Sequence, residues 1–183
     1  MLLFYTSYIY DTSDKAKFEL IYNKYHLLMW SEANKILHDA AAAEDIVHIA
    51  FMEVLNNLQT IHEPFSPKTR NFVVIISRSR AINLYKKRKR ETEITFEEVA
   101  SYNLGNHVFS DSIADNIELR EKAQLLNTLP VHYRDILYLR YNLGYSVEES
   151  AKLLEISKDN AKKRISRAKN QLAQLIKEWE NNE

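Results

Sequence analysis

Cysteine is absent from the 183 residues, which excludes disulfides, thiolate metal sites and a cysteine nucleophile. Glycine occurs twice and proline three times. That is too few for the turns of a sandwich or barrel, so the composition favours an all-α chain. No wholly apolar run exceeds five residues, as at 72–76, far short of the ~20 needed to cross a bilayer as a helix. The opening "MLLFYTSYIYD" is apolar but has neither a basic n-region nor a small-residue cleavage site, so we read it as an extension packed on the body of the protein. A glycine-rich phosphate loop, a Walker-like stretch and a Ser-His-Asp ordering are also missing, so no enzyme and no cofactor are expected. The lack of cysteine fits a reducing cytoplasm. The length suits one modest domain or two small ones.

Net charge is missing as well, since 25 basic side chains balance 25 acidic ones. That balance hides a segregation. Residues 78–90 hold seven basic side chains and no acid, residues 91–121 hold eight acids and one base, and residues 157–177 hold seven bases and one acid. Two basic elements flanking an acidic connector point to partners chosen by charge. The run Lys86 to Arg90 alone fits a helix end, a tail, a membrane-surface patch or a nucleic-acid contact.

Helical spacing of Phe18, Ile21, Tyr22, Tyr25, Leu28 and Met29 predicts a helix over 14–38. A second over 41–58 has Ile46, Ile49, Ala50, Val54, Leu55 and Leu58 as its apolar stripe, with Glu44, Asp45, His48 and Met52 on or near its border. Pro64 and Pro67 then mark a loop. A third helix is expected over 69–90, apolar at Phe72, Val73, Ile76, Ile82 and Tyr85. The basic run is its C-terminal end, where cations complement the helix dipole. Arg78 and Arg80 lie two turns upstream, so the charge extends along the helix. Residues 92–116 lack sustained periodicity and read as a flexible acidic linker. A second helical domain starts near Ile117, restarts at Pro130 and pauses at Gly144.

The stretch from Tyr145 is the most informative. Ser146 and Glu149 form an S-x-x-E capping box opening a short helix that is apolar at Val147, Ala151 and Leu154. Ser157 is placed to cap a longer helix. Ala161, Ile165, Ala168, Leu172 and Leu175 share one face of it, and Lys158, Asn160, Lys162, Lys163, Arg164, Arg167 and Lys169 lie on the other. A short helix, a tight turn and a longer basic helix make the helix-turn-helix pattern, in which N-terminal polar residues reach base edges and flanking cations hold phosphates. Glu155 stands where this turn often has glycine. If the position needs positive φ, Glu costs roughly 1 kcal/mol there.

With these residues in view, the sequence resembles the extracytoplasmic-function (ECF) class of the bacterial sigma-70 superfamily. "AEDIVHIAFMEVLNNL" is similar to its polymerase-binding helix, "RNFVVIISRSRAINLYKKRKRE" to its promoter-melting and −10 helix, and "LPVHYRDILYLRYNLGYSVEESAKLLEISKDNAKKRISRAKNQL" to sigma region 4. The resemblance implies region 2 over 1–91, the acidic linker over 92–116 and region 4 over 117–183. It implies a protein that binds core RNA polymerase, at the β′ clamp helices and the β flap, and directs initiation at promoter DNA in the cytoplasm. Asp45 and His48 match polymerase-contacting positions, with Glu44 and Met52 beside them, and His48-Ile49 stands for a common Gln-Glu. Arg78, Arg80, Asn83, Lys86 and Lys87 fall on the −10 helix, with Asn83 for a common Asp. Ser157, Lys158, Asn160, Lys162, Lys163, Arg164 and Arg167 match the −35 reading helix. An anti-sigma factor is a further partner the class leaves open.

Other readings remain. Glu44, Asp45 and His48 have helix-face spacing for a metal, but no second acidic-x-x-His copy accompanies them, so no metal site is expected. A helix-turn-helix regulator would bind a palindrome without polymerase. An adaptor would use the charge blocks without DNA, and salt-dependent DNA binding separates it from both.

Overall fold

The computed structural model describes residues 2–91 and 124–181. They are helical, and among them no strand occurs, as the scarcity of glycine and proline predicts. The chain divides into two compact units, with the boundary between residues 99 and 100. The expected linker, 92–116, and the helix start near Ile117 lie outside the described residues. No helix among the described residues is long and apolar enough to cross a membrane.

The N-terminal unit contains α1 (Leu2–Thr6), α2 (Thr12–Leu37), α3 (Ala40–Asn56) and α4 (Pro67–Glu91). Local chemistry sets their ends. The Asp11 carboxylate accepts the Asp14 N–H at 3.0 Å to open α2, and His38 closes it in the left-handed region at φ 51°. One oxygen of Asp39 accepts the Ala42 N–H at 3.0 Å and so caps α3. Pro67 takes the first position of α4, where its missing N–H costs nothing, and Ser66 Oγ accepts the Thr69 N–H at 3.2 Å. Helices α2, α3 and α4 pack against one another around Phe18, Ile21, Met29, Val47, Phe51, Val73 and Ile76, all buried. Full burial of side chains of this size stabilises by roughly 1.5–3 kcal/mol each.

Two expectations shift here. The inward stripe of α3 is Ala43, Ile46, Val47, Ala50, Phe51 and Val54. Ile49, expected inside, is exposed, and Leu55 is only half-buried. In α4, every residue from 71 to 81 is buried, so its middle is not the two-faced helix that its apolar positions suggest.

The C-terminal unit contains helical residues 124–128, α5 (Val131–Leu137) running into a π turn (Tyr138–Asn142), α6 (Val147–Leu153) and α7 (Lys158–Glu180). Gly144, at φ 78°, ends the π turn where the sequence places the stop. The capping box is present in full: Ser146 Oγ accepts the Glu149 N–H at 3.1 Å, and the Glu149 carboxylate accepts the Ser146 N–H at 2.7 Å. Leu129, Leu137 and Ala168 form a core with Leu126, Tyr133, Leu172 and Leu175 against it.

Glu155 adopts φ 52°. The Glu155 N–H donates to Lys152 O and the Ile156 N–H to Ala151 O, the paired bonds of a Schellman ending to α6. A Cβ is disfavoured at this φ. Glu155→Gly is therefore expected to stabilise the protein by roughly 0.5 kcal/mol, after allowing for the larger chain entropy glycine adds when unfolded. Thermal unfolding of the two proteins measures the difference.

Candidate nucleic-acid and protein interfaces

Basic residues of α4 separate into two groups. Arg78 is 2 % exposed, and its guanidinium donates to the Glu32 carboxylate of α2 at 3.4 Å. Arg80 is 8 % exposed and donates to Glu53 of α3 at 3.3 Å. Both were expected to meet −10 DNA. In the fold both guanidinia are buried and held by carboxylates on two different helices, joining α4 to α2 and α3. Beyond them the helix emerges. Asn83 and Lys86 are half-buried, and Lys87 and Arg88 are exposed. Arg88 donates to the second oxygen of Asp39 at 3.0 Å, and the Lys89 ammonium lies 5.7 Å from the Tyr85 ring centre. Bonding to the Ala42 N–H and then to Arg88 holds the Asp39 carboxyl below the usual carboxylate range. Towards its C-terminal end α4 thus presents Lys87 and Arg88, and Lys68 is exposed in its first turn. In the preceding loop Phe65 is exposed, an aromatic face suited to base stacking that helical periodicity has no means of signalling.

On α3, Asp45, Ile49 and Asn56 are exposed and Met52 is half-buried. Their spacing of 4, 3 and 4 puts all four on one side. Glu44 and His48 occupy the border towards α1 and α2. The Glu44 carboxylate is 3.2 Å from His26 Nε2, and His48 Nδ1 is 2.7 Å from the Tyr5 hydroxyl. Of the four expected polymerase contacts, Asp45 and Met52 face outward, while Glu44 and His48 already hold partners within the fold. The resulting face is apolar with an acidic edge.

Helices α6 and α7 build the helix-turn-helix. Ser150 and Ala151 of α6, and Ala161, Ile165 and Ala168 of α7, are buried, so small side chains let the two helices approach. Ser157 Oγ accepts the Asn160 N–H at 3.2 Å, and this bond directs the first turn of α7 outward. Lys158, Asn160, Lys162, Lys163 and Arg167 are exposed. Lys158 donates to Glu148 of α6 at 2.7 Å, with both side chains largely in solvent. Bonding to that partner raises the Lys158 pKa and lowers that of Glu148, but an exposed pair of this kind is weak and yields to a phosphate. Lys162 sits 3.9 Å from Asp159. Arg164 lies at the edge of this basic face. It is only half-exposed, and burial holds its pKa below the usual arginine value against the opposing effects of Asp135 and Tyr133 of α5. It belongs more to the packing of α7 on α5 than to the free basic face.

Known proteins resemble the chain in both units. Residues 21–91 match Sigma-70 region 2 and residues 120–172 match Sigma-70, region 4. The chain is 28% identical over 149 residues to the ECF RNA polymerase sigma factor SigX of Bacillus subtilis, covering 79% of this chain and 76% of that protein. It is 26% identical over 149 residues to the ECF RNA polymerase sigma factor SigM of the same organism, covering 79% and 86%. It is 24% identical over 162 residues to the RNA polymerase sigma factor SigZ, also of Bacillus subtilis, covering 86% of each. A region 2 bundle followed by a region 4 helix-turn-helix, in that order, accounts for both helical units, and the chain belongs to the sigma-70 superfamily of bacterial RNA polymerase sigma factors, in its ECF class.

Proposed function

We propose that this sigma factor divides its work as follows: the N-terminal unit, about 1–91, docks on core RNA polymerase and acts on −10 DNA, while the C-terminal unit, about 117–183, reads the −35 duplex. It directs where polymerase starts and has no reaction of its own. Working with polymerase places it in the cytoplasm. The observation that carries this division is the exposed basic face of α7, set on a fully capped α6 and separate in sequence from the outward acidic-apolar face of α3. An independent regulator would leave the region 2 bundle without a purpose.

On α7, Asn160 and Lys158 occupy the first turn, where side chains reach base edges. Lys162, Lys163 and Arg167 follow on the flank, placed for phosphates. On α4 the −10 surface is Asn83, Lys86 and Lys87, with Phe65 available to an unstacked base. On α3 the dock is centred on Asp45 and Met52, with Ile49 between them.

Asp45→Arg reverses a charge on an exposed side chain and breaks no bond within the fold. It is expected to weaken binding of core polymerase roughly tenfold, or ~1.4 kcal/mol, with an unchanged helical circular dichroism spectrum. Titration of labelled protein with core polymerase measures it; undiminished affinity would put the dock on another face.

A further inference from the structure

Residues 2–10 are fixed to the region 2 bundle by the buried side chains of Tyr5 and Ile9. Tyr5 is 1 % exposed. Its ring packs within 5.3–5.9 Å of His48, Phe18, Phe51 and Tyr22, and its hydroxyl meets His48 Nδ1 at 2.7 Å. Burial, with Tyr22 and Glu44 adding to it, pushes the Tyr5 phenol up to about 12, so the hydroxyl stays protonated. Ile9 is buried as a second anchor. A five-residue helix does not persist alone, so Tyr5 and Ile9 hold α1 in place.

The rest of the segment points away. Leu3 and Tyr10 are almost wholly exposed, and Phe4 and Tyr8 are about half exposed. Phe4 meets Tyr8 edge-on, with centroids 5.2 Å apart, and lies 5.5 Å from the His48 ring. His48 lies one turn before Met52 on α3, so this aromatic group borders the outward face of α3. Grouped exposed aromatics mark binding surfaces, and rings already held against each other lose little entropy on binding. Residues 2–10 contain no lysine or arginine, which disfavours an anionic lipid surface.

We propose that α1 and the residues after it, with Leu3, Phe4 and Tyr8, form a second, aromatic lobe of the polymerase-binding surface. Its chemistry calls for an apolar patch on polymerase, beside a cationic surface complementary to Asp45. This rests on the reading that α3 is the dock.

Three variants test it by titration with core polymerase: Leu3→Glu, Phe4→Ser combined with Tyr8→Ser, and Asp45→Arg. Leu3→Glu places a charge on the patch while disturbing no packing, so it decides the matter even if the serine pair loosens α1. Both lobe variants are expected to weaken core binding roughly tenfold, with thermal unfolding of Leu3→Glu unchanged. If Asp45→Arg weakens binding and the lobe variants do not, the lobe is no part of the dock and the α3 reading stands. If none of the three weakens binding, the α3 reading fails and the lobe with it. Sedimentation of the free chain and co-flotation with anionic vesicles complete the test: self-association or vesicle binding abolished by Leu3→Glu, with core affinity intact, would overturn the proposal in favour of a second copy or a membrane.

Discussion

Glu32→Ala is expected to destabilise the N-terminal unit by about 3 kcal/mol, a large fraction of the stability of a small domain. The Glu32 carboxylate is the acceptor for Arg78, whose guanidinium is buried between α4 and α2 at 3.4 Å, and it also receives Lys35 at 2.7 Å. Removing it takes away a carboxylate that meets a buried guanidinium. Water cannot replace the lost carboxylate there, so the loss is much larger than for an exposed pair. The unfolding midpoint should fall by more than ~10 °C. Glu32→Leu combined with Arg78→Met removes both charges and keeps the volume, and most of the stability should return. Lys87→Ala, by contrast, should move stability by less than ~0.5 kcal/mol. These outcomes separate the two kinds of cation on α4. If Glu32→Ala unfolds like wild type, Arg78 is not the internal tie described here. If the Leu-Met double variant is stable and still opens promoter DNA, assayed by permanganate reactivity of thymines, Arg78 serves the fold and the DNA contacts lie further along the helix.

Lys163→Ala with Arg167→Ala should reduce promoter binding by the holoenzyme about 100-fold. Both side chains are exposed on α7, on the flank behind Asn160. A charge-assisted bond to phosphate contributes roughly 1.5 kcal/mol at the low end of its range, so two lost contacts amount to ~3 kcal/mol. The salt dependence carries the sharper signature. Each lost phosphate contact removes about 0.9 from the slope of log K against log salt, so the double variant should be shallower by nearly two. Loss should be similar on every promoter, because phosphate contacts do not read sequence. A substitution at Asn160 should instead change preference at one base position. A duplex selected by the wild-type holoenzyme, titrated at several salt concentrations, gives both quantities. Unchanged affinity and slope would remove α7 from the reading role.

Much of this was legible because it is local. The Ser146–Glu149 box, the Ser157 cap, the stop at Gly144 and the positive φ of Glu155 each involve residues within a few positions of one another. Their chemistry is complete in a short window of sequence. The inward face of α7 followed from spacing alone, since Ala161, Ile165 and Ala168 are flanked by cations that water keeps outside. The helical class followed from the lack of glycine and proline, and the two-part organisation from the loss of helical periodicity in the sequence over 92–116.

Tertiary structure decided what depends on distant partners. Arg78 meets Glu32 across 46 residues of sequence, and Arg80 meets Glu53 across 27. A basic residue in a basic run reads as exposed until a carboxylate from another helix is found beside it. The same holds for α3. Ile46, Val47, Ile49, Ala50 and Phe51 are nearly continuous apolar sequence, so periodicity could not say that Ile49 faces outward; the positions of α2 and α4 did. The hold of Tyr5 on His48, 43 residues away, turned an apolar extension into part of the surface beside α3. Short-range hydrogen bonds and dipoles set where a helix begins and ends, but which of its sides loses water is set by what packs there, and that information is spread over the whole chain.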